Sequence, residues 1–361
     1  MDTEWIQLGQ YSLALGALVV GRLLGYHAVP YLLDPYDYRR RFPGPPLAGL
    51  TNWWMSMIIQ TGHHSEIVQC LHEKYGTFVR LGPNHISIAD PDALEVAGSD
   101  KNNWAHSEKR KRVANIFSAQ NSLAFEPRIR SHIRQLCAQW DLRCKGAVRG
   151  VSSTNRAIKV SYLAFDIIGD LALGSPFGLV QAQKDSSLSI ESVDESGEAT
   201  RGTVEIPVIE TIARAGVPIM SIGVFPSWAH KILLFLPWNL VGLFDRINFF
   251  KLVKASVEAR IKRGPKEIIE DGKRSIDIID KFLEVQDDDI APLSMEELTA
   301  EASVLLVAGS DTTSNTLGCL FYYLAIHPEI QRQLQDELDQ HVPYDSSREP
   351  ESKQDLIAPL P

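Results

Sequence analysis

The stretch from Ser294 to Pro328, "SMEELTAEASVLLVAGSDTTSNTLGCLFYYLAIHP", constrains the fold more than any other. Ser294 followed by Glu297 is a capping box, in which each side chain satisfies an orphan amide at a helix start. Helical periodicity then holds as far as Pro328, roughly 33 residues, or about 50 Å at 1.5 Å per residue. A helix of that length crosses a whole domain, so the chain must wrap around it. At its centre stand Gly309, Ser310, Asp311, Thr312 and Thr313, which are poor helix formers. The spacing predicts a local bulge here, with a free carbonyl near Ala308 and a groove over Gly309. Two uses fit this block. One is a buried polar patch that satisfies only its neighbours. The other is a proton relay, since a carboxylate beside a hydroxyl in a dry helix can move protons and a glycine lets a flat ligand approach the backbone. Spacing alone leaves both open.

The N-terminus constrains location. From Leu8 to Leu33 the chain is mainly Leu, Ala, Val, Gly and Tyr, interrupted by Arg22 and His27. A bilayer core takes roughly 20 apolar residues as a helix, and a snorkelling Arg22 lowers the cost of its charge. No small-residue cleavage site follows, so the segment reads as a retained anchor. Asp2 and Glu4 precede it and Arg39, Arg40 and Arg41 follow, which places the remainder in the cytosol. A buried or interfacial helix is the alternative.

The intervening chain reads as mainly α with a small β-sheet. The expected division is an anchor with its basic flank over 1–38, a proline-rich hinge over 39–50, and one large domain over 51–361. Pro43, Pro45 and Pro46 make the hinge a stiff, extended connector. Ile67 to Tyr75 reads as helix, and "TFVRLG" and "HISIAD" read as two strands around Gly82-Pro83-Asn84. Ser118 to Leu173 reads as helical. The Ser/Glu/Asp-rich run from Lys184 to Gly202 predicts a mobile surface loop. Ile219 to Leu243 is apolar but broken by Pro226 and Pro237, so it is either core or a surface that dips into a bilayer. There is no internal repeat. A net charge of -9 argues against nucleic acid as a partner. Cys70, Cys137, Cys144 and Cys319 are scattered and read as reduced thiols; Cys319 reads as a core thiol.

Several stretches together resemble the cytochrome P-450 (heme-thiolate monooxygenase) family. "AGSDTT" matches the central-helix signature A/G-G-x-D/E-T-T and is followed by "HPE". "FPGPP" resembles the hinge after the anchor, and "KYGTFVRLGPNHISIADPDALEV" resembles the first helix and sheet. "YLAFDIIGDLALGSPFG" is similar to fungal microsomal members, nearest in wording to benzoate para-hydroxylases. The resemblance covers nearly the whole chain from Arg41 onward.

It implies that Asp311 and Thr312 deliver protons to dioxygen activated at a heme, beside which Ala308 and Gly309 form a groove. "HSEKR" is similar to the family's H-x-x-x-R, so His106 and Arg110 would hold the heme propionates from one helix face. It further implies electrons from NADPH through a membrane-bound reductase, and a small organic substrate, aromatic by the subfamily likeness. The protein would sit on the endoplasmic reticulum membrane with a single pass, its catalytic part cytosolic.

Two family features are not found in these 361 residues. One is the E-x-x-R helix followed by the cysteine loop F-x-x-G-x-x-x-C-x-G, whose thiolate pushes electron density toward O–O cleavage. The pairs Glu198–Arg201 and Glu329–Arg332 do not occupy the E-x-x-R position, and no cysteine lies in the loop context. The other is the longer pocket-capping segment expected between Pro91 and His106. The resemblance therefore implies the family's fold without its C-terminal heme-thiolate part. It also implies a chain that, as written, does not oxygenate: a truncated monooxygenase, or a catalytically dead membrane-anchored relic or regulatory partner.

Overall fold

Pro45 and Pro46 start a helix rather than prevent one. Pro46 opens α1 (Pro46–Leu50) with Pro45 as its cap, the position where a missing amide costs nothing. The expected extended connector is instead docked, because the Arg80 amide donates to the Pro43 carbonyl at 3.0 Å. A Cβ on Gly44 would collide with the main chain of Arg80, so only glycine permits this approach.

The computed structural model describes residues 41–93, 116–148 except 118, 157–194, 199–264, 268–270, 273–275, 277–284 and 293–341, with scattered positions between 14 and 34. The order after α1 is α2 (Trp53–Gln60), α3 (His64–Tyr75), β1 (Phe78–Gly82), β2 (His85–Ile88), α4 (Ala119–Val148), α5 (Ala157–Leu173) and α6 (Leu179–Ala182). Then follow β3 (Ser187–Val193), β4 (Ala199–Ile206), α7 (Val208–Gly223), α8 (Ser227–Leu234), a 3-10 turn (Pro237–Asn239) and α9 (Leu240–Arg263). The chain continues through β5 (Ile268–Glu270), β6 (Lys273–Ser275), α10 (Ile278–Glu284), α11 (Met295–Ile326) and α12 (Pro328–His341).

Helices dominate, and the described strands form three separate antiparallel hairpins rather than one sheet. The first is the hairpin expected around Gly82-Pro83-Asn84, pairing Phe78 with Ile88 and Val79 with Ser87. The second, β3–β4, replaces the expected loop. Leu188 and Ile190 alternate with serines, a period-2 pattern that sets one apolar side. At its base Lys184 pairs with Glu205, and Asp185 accepts from the Ile209 and Glu210 amides at 3.0 Å, fixing the entry to α7.

The chain divides into two compact units. One comprises Met1–Trp104 and Ala213–Asp245. Its core is Met55, Ile59, Val79 and Leu81, covered in part by Trp54, Leu71 and Val224. Trp53 meets Phe225 edge-on at 4.9 Å. A second cluster joins Ile222 with Ala229 and Leu233. Among the described residues no single helix is long and apolar enough to cross a membrane; most of Leu8–Leu33 lies outside those residues.

The other unit comprises Ala105–Ile212 and Arg246–Pro361. Its core brings Phe165 and Leu173 of α5 against Val253 and Val257 of α9, Ile278 and Ile279 of α10, and Leu298, Ala302 and Leu306 of α11. Two aspartates one turn apart on α5 brace this unit. Asp170 takes Arg128 Nη2 at 2.7 Å and Nε at 3.1 Å, with His132 Nε2 at 3.2 Å. Burial opposes ionisation of Asp170, but the bonds from His132 and Arg128 outweigh it and hold the carboxyl down to about 2. Asp166 accepts from the amides of Gly178, Leu179 and Val180 at 2.9, 3.1 and 2.8 Å. There burial prevails over the amide bonds, and the Asp166 carboxyl is raised above its ordinary value. Farther along, Arg260 is buried against Asp277 and Asp280.

Candidate active site

Helix α11 starts as its sequence dictates. The Glu297 amide donates to Ser294 Oγ at 3.2 Å and the Ser294 amide donates to the Glu297 carboxylate at 3.0 Å, a complete capping box. One face (Leu298, Ala302, Leu306, Ser310) is buried at a spacing of four. The opposite face carries Val304, Ala308, Asp311, Thr312 and Asn315, all exposed.

The helix is continuous through the polar block. The expected bulge and free carbonyl are absent, and the reason is local chemistry. Thr312 Oγ1 donates to the Ala308 carbonyl at 2.8 Å, Ser310 Oγ to the Leu306 carbonyl at 2.6 Å, and Thr316 Oγ1 to the Thr312 carbonyl at 2.9 Å. Asn315 Nδ2 donates to Asp311 Oδ1 at 3.2 Å. Each hydroxyl bonds back one turn along its own helix, so the block carries its polar groups without breaking the ladder.

Gly309 serves a different contact from the expected groove. A Cβ there would lie 2.8 Å from Ile168 Cγ1 and 3.3 Å from Ile168 Cβ. The glycine thus admits Ile168 and lets α5 and α11 pack closely; it closes that side of the helix. The open side is the one that presents Ala308 and Thr312.

The remaining sequence candidates fall elsewhere. His106 and Arg110 lie outside the described residues, so their pairing is not part of the described geometry. Cys319, expected in the core, is exposed, as are Cys70 and Cys137. No group of three His, Cys, Asp or Glu with metal-holding geometry occurs among the described residues. Sequence reading missed two elements that fix α5: the contact of Gly309 with Ile168, which sets it beside α11, and the seating of Asp170 on Arg128, which ties it to α4. "FDIIGD" offered only the i, i+4 aspartates as a signal.

The model of the cytochrome P-450 family matches residues 95–358, well over half of the chain. This chain belongs to the cytochrome P-450 family. It is 29% identical to benzoate 4-monooxygenase of Aspergillus niger over 94% of this chain and 68% of that protein. It is 28% identical to trichothecene C-15 hydroxylase of Fusarium sporotrichioides over 88% of this chain and 64% of that protein. The chain thus spans about two thirds of the length of these fungal relatives. A solved cytochrome P-450 heme domain aligns with 69% of this chain and 46% of its own at 18% identity, with a TM-score of 0.46. By the family match over residues 95–358, the mainly helical architecture with small sheets is a cytochrome P-450 fold, and the family implies heme.

The described residues fit part of a heme site. Ala308 and Thr312 present a small, exposed helical surface against which a flat macrocycle can lie, and Asp311 stands beside them. Thr312 Oγ1 and one Asp311 oxygen are bonded within α11.

Proposed function

We propose that this chain forms the proton-delivery side of a heme-dependent fungal monooxygenase that hydroxylates a small aromatic acid. The supporting observation is α11, where an unbroken helix presents Ala308, Asp311 and Thr312 on one open face. The benzoate-hydroxylating relative supports the substrate class. Heme would rest on this face and supply oxygen activation when bound; His106 and Arg110 would hold its propionates.

The chain's own residues act as follows. Thr312 Oγ1 is kept by the Ala308 carbonyl, which sets the direction of its proton and leaves its lone pairs toward the open side. Asp311, held at one oxygen by Asn315, is the carboxylate that takes up protons from solvent and resupplies the hydroxyl. Ile168, filling the space at Gly309, excludes water from the back of the helix. Reducing equivalents would come from NADPH through a reductase on the endoplasmic reticulum membrane, with Leu8–Leu33 as the cytosol-facing anchor.

The test is Thr312→Ala in a heme-holding form of the protein. General acid–base positioning contributes about 10²–10⁴-fold, so product per NADPH should fall steeply while hydrogen peroxide rises and heme content stays unchanged. An unaltered product-to-NADPH ratio would remove Thr312 from the mechanism. We also propose that the 361 residues alone do not ligate heme through a thiolate, because no cysteine stands in the loop context. With hemin, dithionite and carbon monoxide the purified chain should give no thiolate-type Soret band. Its appearance would make Cys137, Cys144 or Cys319 the ligand.

A further inference from the structure

The Ser/Glu/Asp-rich run from Lys184 to Gly202, which folds in part as β3, repeats one spacing. Ser186, Ser189, Ser192 and Glu195 follow one another at intervals of three, with Asp194 beside the last. An anion three residues past a serine is a handle for a kinase whose groove is basic at that distance, because charge-assisted bonds fix the register. Glu195 supplies that anion to Ser192. A phosphate on Ser192 supplies it to Ser189, and one on Ser189 supplies it to Ser186. Each phosphate carries a charge of about −1.5 to −2 and three strong acceptor oxygens, so each step leaves a stronger handle than the carboxylate that began the series.

The hairpin offers these serines in a weakly paired strand. Asp194, just past β3, is exposed. The β3–β4 ladder slips on both sides of Ile190, leaving Ser189 and Glu191 with no opposite residue in β4. Such bulges disrupt the ladder, and segments with few ladder bonds open locally at low cost. The last serine stands where a phosphate has a structural consequence. Ser186 donates to the Glu205 carboxylate, which also pairs with Lys184. Its neighbour Asp185 accepts from the Ile209 and Glu210 amides and so holds the start of α7. A phosphate on Ser186 replaces the hydroxyl's bond with repulsion from Glu205 and Asp185, and it competes for Lys184.

We propose that Ser192, Ser189 and Ser186 are phosphorylated in that order by an acidic-directed serine kinase, the last phosphate loosening the entry to α7. In each step the γ-phosphoryl group of ATP passes to the serine Oγ, ADP leaves, and the hydroxyl proton goes to solvent. This array does not depend on the oxygenase reading. The folded full chain, incubated with casein kinase 2 and magnesium ATP and mapped by mass spectrometry, tests it. Wild type should carry phosphate on all three serines, and Ser186→Ala on Ser192 and Ser189 alone. Ser192→Ala should carry none on any of the three positions, and Ser192→Glu should regain it on Ser189 and Ser186. Phosphate on Ser189 or Ser186 in Ser192→Ala overturns the order. Phosphate on Ser192 alone, or on none of the three, in wild type overturns the array. In the fully phosphorylated chain, amide hydrogen exchange in the first turn of α7 should quicken about tenfold, the weight of one lost hydrogen bond. Unchanged exchange there overturns the coupling to α7.

Discussion

Asp170→Ala should destabilise the protein by about 3–5 kcal/mol, the usual result of leaving a buried charge without its counter-ion. Arg128 is buried and turns its guanidinium onto the Asp170 carboxylate; the variant keeps the bond from Arg128 Nη2 to the main-chain carbonyl of residue 170 and loses the charge. Urea unfolding at neutral pH measures the loss. The pH dependence identifies its cause. The Asp170 carboxyl titrates at about 2 in the folded protein, below its ordinary value of 3.8. A depressed group contributes stability that is present above its unfolded value and is lost as pH falls through the folded one. About 2 kcal/mol of the difference between wild type and variant should therefore vanish between about pH 4 and pH 2. A gap that stays constant over that window would mean that packing, and not the ion pair, makes up the loss.

Asp166→Ala should cost a similar amount by another route. Three amides, of half-buried Gly178 and buried Leu179 and Val180, lose their acceptor, and each unsatisfied buried amide costs about 1–3 kcal/mol. Relief from burying a carboxylate offsets part of this, leaving a net loss of about 3–5 kcal/mol. Asp166→Asn, which keeps one acceptor oxygen, should fall between wild type and alanine. Here the sign of the pH effect reverses. Burial raises the Asp166 carboxyl, so the folded protein takes up the proton at higher pH than the unfolded chain does. Its contribution grows as pH falls toward the ordinary aspartate value. Two aspartates one turn apart thus have opposite pH slopes, and thermal unfolding of the two alanine variants across the acid range separates them. Slopes of the same sign would refute the assignment of burial as the cause at Asp166.

What the sequence made legible is what local chemistry decides. The capping box at Ser294 and Glu297, the extent of α11 to Pro328 and the β1–β2 hairpin each depend on residues within a few positions of one another. The block at Ser310–Thr313 was legible as polar and chemically unusual, but its backbone was misjudged. Back-bonding hydroxyls satisfied the helix instead of opening it. The hairpin β3–β4 was obscured because serine and acidic content outweighed the short alternation at Leu188 and Ile190. Other features depend on distant partners. Arg128 and Asp170 are 42 residues apart, and nothing in "AGSDTT" names Ile168 as the side chain that needs Gly309. The exposure of Cys319 likewise follows from which face of α11 turns inward, a property of the whole packing. The family signature was legible because it combines many short motifs, each weak alone.

The division of the chain sets a timetable for its synthesis. The unit built on Met55, Ile59 and Val79 begins in the first hundred residues, yet its last piece, Ala213–Asp245, is encoded about a hundred residues later. At 5–20 residues per second a ribosome needs roughly 5–20 s to reach it. During that interval Trp53 waits for Phe225, and the cluster around Met55 waits for Val224. The entire α4–β4 segment emerges in between and begins its own collapse first. The nascent amino-terminal third therefore spends seconds as an open apolar surface, long on the microsecond scale of chain collapse. That interval is when a holding chaperone or an adjacent membrane would first engage the protein.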